Sequence, residues 1–193
     1  MIFRLTLKFA KKLGLGPLPA LSYDKNRNPL LDWHAHVFTA QHLQYIILTN
    51  TASLYSLVMP GRGVANDRQF VRGARSCMKE FLGIDVAETL FAGIIEPETE
   101  VGKTLFSKST DRRVAGSMND LIFQAKFYLA EGHKSPHDTA ILINESPMSY
   151  LNYDKPREAF RKLCFGEDVS SGNGSTKNNV IHVDFHRQSA PRK

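Results

Sequence analysis

The chain has 193 residues, of which 42% are hydrophobic and 23% are charged, and its formal net charge is +6. These values are close to globular averages, so they exclude a chain too polar to bury a core of normal size. No apolar run approaches the roughly 18 residues that a membrane-spanning helix needs, and the excess of positive charge favours anionic partners such as nucleic acid or phosphorylated small molecules.

The first elements along the chain are a short strand and a short helix. Apolar residues 2–5 predict the strand, and Thr6 is a suitable cap for a helix that Gly14 ends. Residues 14–29 contain three prolines and predict a loop. Three further strands follow with short connections, so neighbouring strands are expected to pair antiparallel. They cover residues 33–38, 44–50 and 53–59.

Two longer helices follow, each with apolar residues at helical spacing. The first covers residues 67–82, with Asn66 or Asp67 as its cap and Gly83 as its end. The second covers residues 111–131. One face of each helix is therefore expected to pack on the sheet.

Shorter elements surround the second long helix. Ser109 or Thr110 is expected to cap that helix, and residues 103–107 before it predict a strand. Beyond it, a Ser-Pro pair predicts the start of a short helix over residues 135–143. Residues 156–165 predict a final helix with one apolar face.

Together these elements predict an α+β fold, in which a mostly antiparallel sheet of four to five short strands packs against the two longer helices. Residues 1–165 are expected to form a single globular domain of unknown function. Residues 166–193 begin with a run rich in Ser, Gly and Asn, which is typical of a flexible polar tail.

Two features predict a cytoplasmic protein. The apolar N-terminal segment lacks the unbroken hydrophobic stretch of a secretory signal, because Arg4, Lys8 and Lys12 interrupt it. Cys77 and Cys164 fall on apolar helix faces and have no Cys-x-x-Cys partner. They are expected to be buried reduced thiols, without a disulfide framework or a zinc site.

Four motifs carry a family resemblance: LDWHAHVFTA (31–40), YIILTNTASLYSLVMPGRG (45–63), DRRVAGSMNDL (111–121) and INESPMSYLNY (143–153). With these motifs the chain resembles a bacterial domain of unknown function, which occurs as short stand-alone proteins and sometimes fused to plasmid-encoded domains. The resemblance covers roughly residues 1–160 and implies no particular activity. His36 stands where that family more often has Asn.

The first candidate site is the loop Gly61-Arg62-Gly63, which ends the second motif. Two glycines allow positive φ and close approach by a ligand, and the Arg side chain can donate two hydrogen bonds to a phosphate or carboxylate. The alternative is a tight strand-to-helix turn whose Arg covers the sheet edge.

A basic stripe on the first long helix is a second candidate, for a nucleic-acid backbone. Arg68, Arg72, Arg75 and Lys79 are spaced by four, three and four residues, so they share one helix face. No aromatic residues interleave with them to stack on bases. The alternative is an ordinary solvated face.

A third candidate lies on the second long helix. Arg112 and Arg113 stand in its first turn, and Asn119 and Asp120 follow two turns later. These side chains are expected to join Arg62 around one positively charged concavity where the sheet meets its helices. The alternative is helix capping together with polar bracing of a neighbouring loop.

Other polar residues give weaker signals. Glu145 is a lone carboxylate that suits a general base or a turn. His34 and His36 share a strand face and, with His42, could offer three imidazoles. We predict no metal site and no cofactor, and we assign no catalytic residue.

Three hypotheses on function remain. The first is a binding or regulatory domain for an anionic ligand, either nucleic acid or a phosphorylated small molecule. The second is an enzyme acting on a nucleotide or phosphodiester substrate, which requires Asp120 or Glu145 within reach of the arginines. The third is a protein-partner module of a plasmid or defence operon, which an exposed apolar patch without a polar pocket would favour. The oligomeric state does not follow from the sequence.

Overall fold

The computed structural model describes residues 1–22, 28–85, 104–130 and 134–166, and the backbone alone of residues 82–85. Within these residues five strands form one sheet. They are β1 (Ile2–Leu5), β2 (Asp32–Ala40), β3 (Leu43–Asn50), β4 (Ser56–Pro60) and β5 (Leu105–Lys108). Their order across the sheet is β4-β3-β2-β1-β5.

The sheet is mixed, so the expectation of a mostly antiparallel sheet is wrong. β2, β3 and β4 pair antiparallel, as their short connections predict. However, β1 pairs parallel with both β2 and β5. Residues 6–31 separate β1 from β2, which is long enough for a parallel crossover, so the rule for short connections does not apply there. The α+β class itself is confirmed.

Five α-helices lie in the described part of the chain: α1 (Leu7–Lys12), α2 (Asp67–Asp85), α3 (Arg112–Ala130), α4 (Pro136–Asn144) and α5 (Pro156–Phe165). The two longest, α2 and α3, have 19 residues each and stand where the apolar spacing predicts them. Gly83 does not end α2, which continues for two residues beyond it. Within the residues described, none of these helices is long and apolar enough to cross a bilayer.

Side-chain caps start the two long helices. Asn66 Oδ1 accepts a hydrogen bond from the backbone N–H of Gln69 at 2.9 Å, which confirms its predicted role in α2. In α3 the cap is Asp111, whose Oδ1 accepts from two backbone N–H groups of the first turn at 2.9 and 3.1 Å. The prediction of Ser109 or Thr110 as that cap is therefore wrong.

Two hydroxyl groups expected at helix starts instead contact histidines of β2. Thr6 precedes α1, yet its Oγ1 lies 2.8 Å from Nδ1 of His36 and makes no capping bond. The Oγ of Ser109 lies 2.9 Å from Nδ1 of His34. Each hydroxyl bonds an imidazole and not a backbone N–H of the following helix, because β2 holds the imidazole within hydrogen-bond distance.

One face of the sheet is apolar and carries α2 and α5. Phe70 of α2 meets the ring of Phe3 edge-on, with centroids 4.9 Å apart. Phe160 of α5 contacts Trp33 and stacks on Tyr55, with centroids 6.0 and 4.5 Å away. Phe3 and Trp33 are register partners, so both helices lie on the same side.

The opposite face carries a row of buried polar side chains along the strand register. The row runs across all five strands through Ser107, Arg4, His34, Thr49 and Ser56, and Asp32 lies beside it on the same face of β2. Helix α3 crosses β2 on this face, and α4 packs against both α3 and β4. Because the pleat sends alternate residues to opposite sides, His36 also points toward α3, and Trp33 points away.

Candidate functional site

The loop after β4 is a tight turn built on a close backbone approach. The N–H of Gly61 donates to the carbonyl of Gln44 at 2.7 Å, and a Cβ on Gly61 would lie 3.0 Å from that oxygen. Gly63 has φ +80°, a conformation that L side chains rarely adopt. Arg62 is exposed and makes no hydrogen bond or ion pair with other described residues. Its guanidinium therefore extends into solvent.

Arg62 lies far from the arginines of α3. Ala130, the last residue of α3, accepts a hydrogen bond from Gln41 in the β2–β3 turn at 2.6 Å, so that end of the helix is the one beside the loop of Arg62. Arg112 and Arg113 stand at the other end, about 27 Å away along a helix of this length. One site containing all three guanidinium groups does not form.

The polar residues near the start of α3 have separate environments. The guanidinium of Arg113 lies 5.0 Å above the ring centroid of Tyr150, an arrangement that suits a cation–π contact. Arg112 and Asp120 are exposed. Asp120 lies about 10 Å from Arg113 along the helix axis, beyond direct hydrogen bonding. These residues do not enclose a common space.

Glu145 forms ion pairs with two cationic side chains from the segment that follows it. Lys155 Nζ lies 2.8 Å from one carboxylate oxygen, and Arg157 Nη1 lies 3.2 Å from the other. The hydrogen bond from Lys155, and then that from Arg157, lowers the pKa of Glu145. An ionised carboxylate held this way is suited to bracing the turn after α4.

The basic stripe lies on α2, away from α3. Arg68, Arg72 and Lys79 are exposed and Arg75 is half-buried. Because α2 packs on the apolar face of the sheet and α3 on the polar face, the two helices present their outer surfaces to opposite sides of the molecule.

Histidine and cysteine show no arrangement for metal or thiol chemistry in the part of the chain that the structure describes. No group of three His, Cys, Asp or Glu residues there could hold a metal ion. His42 sits in the β2–β3 turn at φ +63° and is exposed. Burial raises the pKa of both Cys77 and Cys164 to about 12, so both remain protonated at neutral pH.

A cleft of about 400 Å³ lies between α1, β2 and α3, and sequence reasoning missed it as a site. Among the residues predicted to bind an anion or nucleic acid, Asn119 alone contributes to its walls, together with His36, which was considered as an imidazole ligand. The lining residues are Lys8, His36, Phe38, Thr39, Asn119, Ile122, Phe123 and Lys126.

The cleft carries uncompensated positive charge. His36 is half-buried, and its pKa is lowered first by burial and then by the charges of Lys8 and Lys126. Lys8, His36 and Lys126 line the same cleft. Neither lysine forms an ion pair with the described residues, and none of the described residues that line the cleft carries a carboxylate. Two ammonium groups, an imidazole and an amide are the donors that suit a phosphate or carboxylate.

Long-range contacts hold the three walls in place. The bond between Thr6 and His36 ties the start of α1 to the middle of β2. The bond from Gln41 to Ala130 ties the end of α3 to the β2–β3 turn. A signal for the α3 wall was present in the sequence, because residues 119, 122, 123 and 126 follow the helical spacing. Nothing local connects Lys8 to that helix.

Comparison with known proteins gives a family and no activity. No protein of curated function matches the chain. One family profile aligns with residues 2–159, which include the five strands, the helices α1 to α4 and the walls of the cleft. Because this alignment covers far more than half of the sequence, the chain belongs to the family described as a domain of unknown function, DUF6933.

Proposed function

We propose that this protein is a binding domain for a phosphorylated small molecule, which occupies the cleft between α1, β2 and α3. The observation that carries the proposal is the pair of lysines, Lys8 and Lys126, around half-buried His36, with no acidic residue among the described residues of the lining. A bound phosphate would relieve the repulsion among these groups. The volume of about 400 Å³ lies within the range of small-molecule sites.

A binding role agrees better with the cleft than catalysis does. Phosphoryl transfer or hydrolysis generally needs a carboxylate or a bound metal beside the cations. The described lining of the cleft offers one titratable base, His36, and its Nδ1 is engaged with Thr6. The cationic groups suffice to hold an anion, since hydrogen bonds to charged groups contribute about 1.5–3 kcal/mol each when they are well formed.

Pyrophosphate binding to a charge-neutralised variant tests the site. In the double variant Lys8→Gln, Lys126→Gln, we expect the affinity measured by calorimetry at low salt to fall by about tenfold or more, because two charge-assisted contacts are lost. Both side chains are exposed, so folding should be unaffected.

Two control variants make this test specific. Lys108→Gln removes an exposed lysine of β5 that lies outside the cleft. Arg62→Ala with Arg112→Ala removes two of the arginines first considered. Both controls should retain wild-type affinity for pyrophosphate. An equal loss in a control, or undiminished binding by the double lysine variant, would remove the cleft from consideration.

The stripe on α2 supports a second candidate, binding along a nucleic-acid backbone. Arg68, Arg72 and Lys79 are exposed cations on one helix. Replacing Arg68 and Arg72 with Gln should weaken binding of duplex DNA and RNA alike. The slope of log affinity against log salt concentration should fall by about 1 for each lost phosphate contact. An unchanged slope would refute this candidate.

A further inference from the structure

We infer that the ligand of the cleft is a nucleotide, with its base stacked on Phe123 and its phosphate held by Lys8 and Lys126. The inference rests on the proposed function of the cleft and adds the chemical class of the ligand. It follows from the position of one aromatic side chain relative to the cations.

Phe123 is an apolar ring held at the cleft and left open to solvent. It lines the cleft, yet 77% of its surface is exposed. In the described part of the chain it stacks on no other ring, unlike Phe127, which meets Tyr128 edge-on at 5.6 Å. An exposed ring on the wall of a cleft offers a flat apolar face to a planar ligand, and every nucleobase has a complementary π-face.

The neighbours of Phe123 on α3 supply the remaining contacts of a nucleotide. Asn119 lies one turn before it and Lys126 three residues after it, so all three share one helix face. A lysine reaches phosphate as a point charge. An asparagine amide can pair with the donor and acceptor edge of adenine. Along this one helix, Asn119 can therefore bond the edge of the base, Phe123 can stack on its face and Lys126 can contact the phosphate.

The combination of cations with exposed aromatic rings distinguishes the cleft from the basic stripe on α2. The stripe on α2 has exposed cations, and the aromatic residue among them in the sequence, Phe70, is buried against the sheet. On α3, by contrast, Phe123 and Phe127 flank Lys126 in the sequence, and both rings are exposed. Aromatic platforms interleaved with cations are the features by which proteins bind nucleotides and single strands without reading sequence.

Adenosine monophosphate, ribose 5-phosphate and pyrophosphate are the probes that test the inference. The wild-type protein should bind adenosine monophosphate more tightly than ribose 5-phosphate. Phe123→Ala should weaken binding of adenosine monophosphate by about tenfold and leave binding of pyrophosphate unchanged. Phe123→Tyr keeps an aromatic face and should restore the affinity.

Phe127→Ala is the matched control, since it removes an exposed ring of the same helix outside the cleft. It should leave binding of the mononucleotide unchanged. If Phe123→Ala has no effect on adenosine monophosphate while the lysine variant still loses pyrophosphate, the proposed anion site stands and the nucleotide inference fails. If the lysine variant loses neither ligand, the proposed function itself fails.

The same measurements distinguish a free nucleotide from the end of a single strand. A six-residue adenine oligonucleotide that binds no more tightly than the mononucleotide would identify the free nucleotide as the ligand. If the oligonucleotide binds more tightly than the mononucleotide, and Phe127→Ala removes this difference in affinity, the ligand is a single strand whose next base stacks on Phe127. Ribose 5-phosphate binding as tightly as either would overturn the inference.

Discussion

Replacing Asp32 with alanine should destabilise the fold by about 3–5 kcal/mol, the cost of breaking a buried ion pair from one side. The Nε and Nη2 atoms of Arg4 lie 2.7 and 2.8 Å from the two carboxylate oxygens of Asp32. The two side chains are 5% and 9% exposed. The loss is a large fraction of the 5–15 kcal/mol by which a typical domain is stable.

The predicted loss of stability arises from the buried polar groups that would lose Asp32 as their partner. Without Asp32, the guanidinium of Arg4 keeps a hydrogen bond of 2.6 Å to the carbonyl of Leu21 but loses its counter-charge. The hydroxyl of Thr51, which donates to Asp32 at 2.8 Å, loses its acceptor. Burying an unpaired cation is far costlier than burying an apolar side chain of similar size.

A double variant separates this explanation from a simple loss of packing. Arg4→Met with Asp32→Leu removes both charges and should recover most of the stability lost in Asp32→Ala. Urea unfolding at pH 7 measures all three proteins. If the double variant is as unstable as the single one, the destabilisation does not come from an orphaned charge, and the account of the pair is wrong.

The ion pair illustrates which parts of this fold can be read from the sequence. The apolar spacing of α2 and α3 predicts both helices, because a repeat of 3.6 residues is a local property. A charged residue inside an apolar strand, as with Arg4 between Phe3 and Leu5, is also a local signal of a buried partner. The partner's identity is not local, since Asp32 is 28 residues away.

The strand order could not be read in the same way. β1 lies between β2 and β5, and its pairing with Leu105–Lys108 joins segments about one hundred residues apart. Such pairing depends on which segments reach one another when the chain collapses, and short-range patterns carry little information on it. The antiparallel pairing of β2, β3 and β4 was predictable because their connections are short.

The candidate site differs from the one that the sequence predicts for a related reason. Local motifs indicated Arg62 and Arg112, but the loop of Arg62 lies beside the C-terminal end of α3 and Arg112 stands at its N-terminal end. The cleft instead depends on Lys8 and Lys126, which are distant in sequence and belong to no motif. Helical spacing could have marked Phe123 beside Asn119, but only the position of α1 on β2 makes that face the wall of a cleft.

The second large effect concerns His34, which should make stability fall as the solution becomes acidic. Its side chain is fully buried, and its Nε2 has no hydrogen-bond partner among the described residues. The pKa of His34 is lowered from 6.5 to about 4, chiefly by burial; the charge of Arg4 acts in the same direction, and those of Asp32 and Asp111 oppose it. Between these two values the unfolded chain binds a proton that the folded protein does not.

The free energy of unfolding should therefore decrease as the pH falls from 6.5, with the full loss of about 3 kcal/mol reached near pH 4. Urea unfolding at intervals of pH measures the slope. His34→Asn can still bond Ser109 but has no group that titrates in this window, so its stability should vary less with pH. His36 and the acidic residues remain in both proteins, so the difference between the two curves isolates His34. Parallel curves would show that His34 binds its proton equally well in the folded and unfolded protein, and the account of its burial would be wrong.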